Sequence, residues 1–187
     1  MPRSLSCLSC LSCLSCSMAI LMLASPAKAE QCNVSLSQDR VDYGRLHRGG
    51  LQVEQPGKAE LALGKRTLNL SVVCPQPTAM ALRFDGPGAG PEAFSLGLQG
   101  NFTLSLRQPR LDGQAVELFQ GRARSLEQAS RLLPGQTLVA RQGGAPIQGR
   151  MFSAQVEIET YLPVTATRVR EETLIEGRGR FELVSAH

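Results

Sequence analysis

The stretch Arg66-Thr67-Leu68-Asn69-Leu70-Ser71-Val72-Val73-Cys74 decides the fold. Leu68, Leu70, Val72 and Cys74 recur at every second position, with Thr67, Asn69 and Ser71 between them. An extended chain turns successive side chains to opposite faces, so this spacing predicts a strand with one face in a core and one in solvent. The same period appears at Met80, Leu82 and Phe84, at Phe102, Leu104 and Leu106, and at Phe152, Ala154, Val156, Ile158, Thr160 and Leu162. Towards the C-terminus, Ile175, Gly177, Gly179, Phe181 and Leu183 share a face opposite Glu176, Arg178, Arg180 and Glu182. Turn residues separate these runs: Asp85-Gly86-Pro87-Gly88, Gln108-Pro109-Arg110, Asp112-Gly113, Pro134-Gly135 and Gly143-Gly144-Ala145-Pro146. Only Ser125 to Leu133 has helical character, and Pro134-Gly135 stops it. About seven one-sided strands without long helices between them cannot build a parallel α/β sheet; they predict two packed antiparallel sheets, an all-β sandwich. The chain contains no internal repeat of the length that marks solenoids and propellers.

Residues 1–29 read as a secretory signal peptide. Arg3 supplies the positive charge, an apolar stretch runs through Ala24, and Ala27-Lys28-Ala29 places small residues where a signal peptidase reads them, with cleavage expected between Ala29 and Glu30. The four Leu-Ser-Cys triplets from Leu5 to Cys16 lie inside this segment, so Cys7, Cys10, Cys13 and Cys16 leave with it. The expected mature chain, residues 30–187, has 158 residues, enough for one domain with a proper core and short for two. Arg3 and Lys28 also depart, so 18 basic side chains face 16 acidic ones. That near balance speaks against a nucleic-acid binder. No second apolar run is long enough to span a membrane as a helix.

Cys32 and Cys74 are then the remaining cysteines, and in an exported chain two cysteines most simply form one disulfide, with a free thiol or an intermolecular bridge as the alternatives. Cys32 precedes a short alternating run, Val34 and Leu36, so the bond would tie a first edge strand to the next one in sequence. Catalytic chemistry finds little material. His47 sits in the charged, glycine-flanked stretch Arg45-Leu46-His47-Arg48-Gly49-Gly50, and the only other histidine, His187, is the last residue. Zinc or Cys–His chemistry lacks its ligand types, and no serine has a G-x-S-x-G surround. Neither a metal nor another cofactor is expected. Glu157 and Glu159 share a strand face and could be read as paired carboxylates, but a solvated strand face explains them equally well. Arg178-Gly179-Arg180 resembles a fragment of an RGG segment, yet the aromatics that such segments stack on are scarce, at 4% with no Trp. Asn33-Val34-Ser35, Asn69-Leu70-Ser71 and Asn101-Phe102-Thr103 fit the N-glycosylation pattern, which strand-rich sequence often produces.

Taken in order, Cys32, Val41-Asp42-Tyr43-Gly44, Leu63-Gly64-Lys65 before Leu68 to Cys74, Ser95-Leu96-Gly97-Leu98, Phe102 to Leu106, Asp112-Gly113 and the alternation from Ile175 to Leu183 resemble the fimbrial subunits of bacterial chaperone–usher pili, closest to a little-characterised fimbrial-like branch. The resemblance covers the whole mature chain. It implies an immunoglobulin-like sandwich lacking its last strand, with a groove that a periplasmic chaperone fills first and a neighbouring fimbrial subunit's N-terminal strand fills later, after delivery through an outer-membrane usher. Such β-strand addition takes affinity from backbone hydrogen bonds and specificity from alternating pockets. By position, Val34 and Leu36 on one side and Ile175, Phe181 and Leu183 on the other are the expected walls. The chain departs from the family pattern of a penultimate aromatic and a glycine near fourteenth from the end: the penultimate residue here is Ala186, the aromatic is Phe181, and the glycines are Gly177 and Gly179.

The resemblance further implies export to the periplasm and then the cell surface, and a structural rather than enzymatic role. A tip adhesin-like module that binds a ligand is the alternative, and a secreted enzyme on a sandwich scaffold is the third reading. Cleavage after Ala29 would leave Glu30 and Gln31 ahead of Cys32, too few for a donor strand, which leads to the expectation of a subunit at the distal tip of a fibre.

Overall fold

The computed structural model describes residues 31–46, 60–120, 130–167 and 172–184. The described residues form twelve strands, all paired antiparallel: β1 (Asn33–Leu36), β2 (Glu60–Ala79), β3 (Ala81–Asp85), β4 (Phe94–Leu96), β5 (Gly100–Leu111), β6 (Gln114–Ala115), β7 (Glu117–Phe119), β8 (Arg131–Leu132), β9 (Thr137–Gln142), β10 (Ala145–Pro146), β11 (Gln148–Pro163) and β12 (Arg180–Leu183). One sheet runs β1-β2-β11-β5-β4, with β6 and β8 also on β5; the other runs β10-β9-β3-β12, with β7 on β9. The order β1-β2-β11-β5 against β3-β12 follows the A-B-E-D and C-F arrangement of immunoglobulin-like sandwiches, with β9, which comes after β5 in the chain, added on the other side of β3. In that scheme a strand G pairs with F. No strand of the described residues occupies that place beside β12.

The alternation read around Cys74 is the inner face of β2. Leu68, Leu70, Val72 and Cys74 are buried, and the strand continues through Ala79 rather than closing at the cysteine. Met80, fully buried, is the single residue between β2 and β3, and there the chain passes from one sheet to the other. Phe152, Ala154 and Val156 of β11 and Leu104 and Leu106 of β5 meet Leu82 of β3 and Leu138 and Ala140 of β9 in one core. Each fully buried Leu, Val or Phe contributes about 1.5–3 kcal/mol of transfer free energy. Phe84, Phe94, Phe102 and Phe181 form an aromatic cluster within it, with Phe84 edge-on to Phe94 at 4.8 Å and to Phe181 at 5.1 Å between centroids.

Several expectations need correction. Gln108-Pro109-Arg110 is not a turn but lies inside β5 as a bulge: β11 advances from Ser153 to Gln155 while β5 advances from Arg110 to Arg107. Gln108 takes a φ of 49°, and Pro109 has no N–H to give the ladder, so an extra residue is accommodated without losing a bond. Arg131 and Leu132, read as the end of a short helix, form β8 against β5; most of the Ser125–Leu133 stretch lies outside the described residues. The long C-terminal alternation is a strand only from Arg180 to Leu183. Its first half runs close against other chain instead: a Cβ on Gly177 would meet the Phe102 ring at 2.8 Å and the Ser95 carbonyl at 3.0 Å, and one on Gly179 would collide with Phe84. The two glycines therefore serve close approach, not strand pairing. The Asp112-Gly113 turn closes a two-residue hairpin; of Gly143-Gly144-Ala145-Pro146 only the two glycines form the turn, and Ala145-Pro146 pairs with β9 as β10.

Candidate functional site

Cys32 and Cys74 are joined by a disulfide across a sequence separation of 42, so the intramolecular alternative holds. The bond fixes β1 to β2 at the edge of the first sheet. Ser37 N donates to Asn69 O at 2.8 Å, continuing the register in which Ser35 opposes Ser71 and Asn33 opposes Val73. In an antiparallel ladder the hydrogen-bonded positions alternate. Ser37, Ser35 and Asn33 therefore direct their backbone groups to β2, and Val34 and Leu36 direct theirs to the free side.

The same logic applies to β12. Val184 N donates to Ala81 O at 2.8 Å, continuing a register in which Glu182 opposes Arg83 and Arg180 opposes Asp85. Phe181 and Leu183 thus turn their N–H and C=O groups away from β3. Among the described residues no strand pairs with that side of β12 or with the free side of β1. The two strands come within 8 Å of each other between Cα atoms. Val34, Leu36, Phe181 and Leu183 are half-buried, their side chains packed on the core. The structure brings these four sequence-predicted residues to the two neighbouring sheet edges. Each presents an apolar side chain inward and an unmatched backbone group sideways, the arrangement an added strand requires.

Ile175, the fifth candidate, is elsewhere. It lies against the hairpin between β4 and β5, where a Cβ on Gly97 would meet its Cγ2 at 2.9 Å and Gly97 N donates to Glu176 O at 2.8 Å. Period-two counting carried it into the β12 face, whereas the chain before Arg180 is not a strand and its period carries no meaning.

Charge holds β12 in register. On its outer face Arg83 donates to Glu182 at 2.8 Å, Arg180 donates to Glu182 at 2.7 Å, and Arg180 stands 3.6 Å from Asp85. The Arg83 hydrogen bond first, and that of Arg180 second, hold the Glu182 carboxyl below the usual carboxylate range. Glu157 and Glu159, the possible carboxylate pair, are likewise ion-paired on an open sheet face: Lys65 reaches both, Arg107 reaches Glu157 at 3.3 Å, and Tyr161 Oη donates to Glu159 at 2.8 Å. The Lys65 hydrogen bond depresses the Glu159 carboxyl, the reverse of what a general acid at neutral pH needs.

The segment after β1 is pinned beneath the first sheet. Tyr43 Oη and Thr160 Oγ1 are 2.8 Å apart, the Arg66 guanidinium lies 5.2 Å from the Tyr43 ring centroid, and Gly44 N donates to Asp42 Oδ1 at 2.7 Å. This gives Val41-Asp42-Tyr43-Gly44 a physical role that periodicity alone did not reveal. His47, the expected signal segment and the expected cleavage point between Ala29 and Glu30 lie outside the described residues. Among the described residues no three His, Cys, Asp or Glu side chains are placed to hold a metal ion, and no helix is long and apolar enough to cross a membrane. Neither protein-family models nor curated proteins give a match to this chain.

Proposed function

We propose that this chain is a structural or assembly subunit of a bacterial surface fimbria, completed by a strand that another protein lays along the β1 and β12 edges. In this reading a periplasmic chaperone supplies that strand first, an outer-membrane usher receives the subunit, and a neighbouring fimbrial subunit supplies the strand in the fibre. The observation that carries the proposal is the alignment of four residues: Val34 and Leu36 on β1, Phe181 and Leu183 on β12, each with backbone groups facing the free side and an apolar side chain half-covered. Open edges of this kind template aggregation unless they are covered. A strand at about 4.8 Å from each edge also requires the edges to part where they now come within 8 Å, so insertion moves β12 or β1 outward.

Expression in the periplasm tests this. Alone, the chain should aggregate or be degraded; with its cognate chaperone it should accumulate as a one-to-one complex. Phe181→Glu should abolish that rescue, because it puts a charge on an apolar wall. A stable, soluble monomer obtained with no partner would contradict the proposal.

A further inference from the structure

The ion pairs on β12 decide something that its apolar pattern leaves open. Phe181 and Leu183 face the core opposite Phe84 and Leu82 of β3, and the pairing is four residues long. Side chains alternate with a period of two, so a slip of two residues along β3 keeps both of them facing inward. No second neighbour opposes such a slip, since among the described residues only β3 pairs with β12. The opposite edge, β1, has its register set covalently by Cys32–Cys74. On the outer face of β12, Arg180 stands directly opposite Asp85 and Glu182 directly opposite Arg83. The four charges form a checkerboard, each with an opposite charge across the strand pair and another along its own strand. Arg83–Glu182 is the tighter half, at 2.8 Å with side chains 40% and 22% exposed, against 3.6 Å with 73% and 58% for Arg180–Asp85. A two-residue slip in one direction sets Glu182 opposite Asp85; in the other it sets Arg180 opposite Arg83. Either way like charges face each other, which is destabilising.

We infer that Arg83, Asp85, Arg180 and Glu182 are the positioning residues of the strand-addition site: by forbidding both slips they keep the free backbone groups of Phe181 and Leu183 alongside those of Val34 and Leu36 on β1. This use of the checkerboard rests on the strand-addition reading, in which one incoming strand must bond to both edges at once. A two-residue slip carries Phe181 and Leu183 about 6.6 Å along the groove, half the length of β12, so an added strand would lose half of its two-sided pairing. None of the four residues touches the incoming strand; each acts through the backbone of β12. The two edges are thus aligned by different means, one by a covalent bond and the other by charge.

NMR on the purified chain, alone or in its chaperone complex, reads the register directly. Phe181–Phe84 and Leu183–Leu82 are the closely spaced, non-hydrogen-bonded pairs, so short Hα–Hα contacts between them mark the native alignment. Arg83→Glu makes position 83 repel Glu182 and attract Arg180, so β12 should slip and replace the Phe181–Phe84 contact with Phe181–Leu82. Asp85→Arg should drive the opposite slip, to a Leu183–Phe84 contact, and it decides the matter if Arg83→Glu does not fold. The fourfold exchange Arg83→Glu/Asp85→Arg/Arg180→Glu/Glu182→Arg rebuilds every opposite pair and should recover the native contacts. A synthetic peptide of alternating apolar residues should bind a slipped variant about tenfold more weakly than the original chain, with affinity regained in the fourfold exchange. Native contacts kept in both single variants, or not recovered by the fourfold exchange, would overturn the assignment, as would undiminished peptide affinity in a slipped variant. If the original chain takes up no peptide, the strand-addition reading falls and the positioning role with it, while the contacts still decide whether charge sets the register.

Discussion

The middle of the first sheet and the two outer strands are made of the same kinds of residue but held in different ways. β2 and β11 are 20 and 16 residues long, pair with neighbours on both sides, and bury Leu70, Val72, Phe152 and Val156 to 1% exposure or less. β1 and β12 are four residues each, pair on one side only, and leave their apolar side chains half-covered. The two outer strands differ from each other as well. β1 is held covalently through Cys32–Cys74, whereas β12 is held by the Phe84–Phe181 contact and the Arg83–Glu182–Arg180 ladder. Stability is therefore concentrated in strands that need no partner, and the strand held least firmly is the one that would move to admit another.

Substitutions that separate these regions sharpen the comparison. Phe152→Ala in the centre should cost about 3–5 kcal/mol in chemical denaturation, because a fully buried ring leaves a cavity between two long strands. Replacing the disulfide with Cys32→Ser/Cys74→Ser should cost about 4 kcal/mol by the chain-entropy model, with amide protection lost at β1 and kept at β11. Phe181→Ala should cost less, about 1–2 kcal/mol, since that ring is only half-buried. A larger loss at Phe181 than at Phe152 would break the comparison. The smallest effect is on pH dependence. The Glu159 carboxyl is depressed mainly by its hydrogen bond from Lys65, so its contribution is present above the ordinary carboxylate pKa of about 4.3 and is lost as pH falls through the folded value. The thermal midpoint should accordingly decline below about pH 4, and Glu159→Gln should flatten that decline.

Much of the fold was legible in the sequence because a strand with one buried face writes its period directly. The runs at Leu68–Cys74, Phe102–Leu106 and Phe152–Leu162 became the inner faces of β2, β5 and β11. Where period two misled, glycine was the reason. Gly177 and Gly179 count as apolar in alternation, yet they lie where backbone passes against Phe102 and Phe84, so Ile175 was placed on a face it does not share. Gln108-Pro109 looked like a turn because bulge and turn use the same residues, and only the register of β11 distinguishes them. The edge residues Val34, Leu36, Phe181 and Leu183 were readable from position within the resemblance, but the sideways orientation of their backbone groups depends on register, which no single sequence states.

Amide hydrogen exchange, residue by residue, with and without a synthetic peptide of alternating apolar residues, tests the central claim most directly. Without peptide, the amides of Val34, Leu36, Phe181 and Leu183 should exchange fast while those of Leu104 and Val156 stay protected; with peptide bound one-to-one, all four should slow together. If those four amides are already protected in the free chain, or remain fast at saturating peptide, the edges are not the place where a partner strand adds.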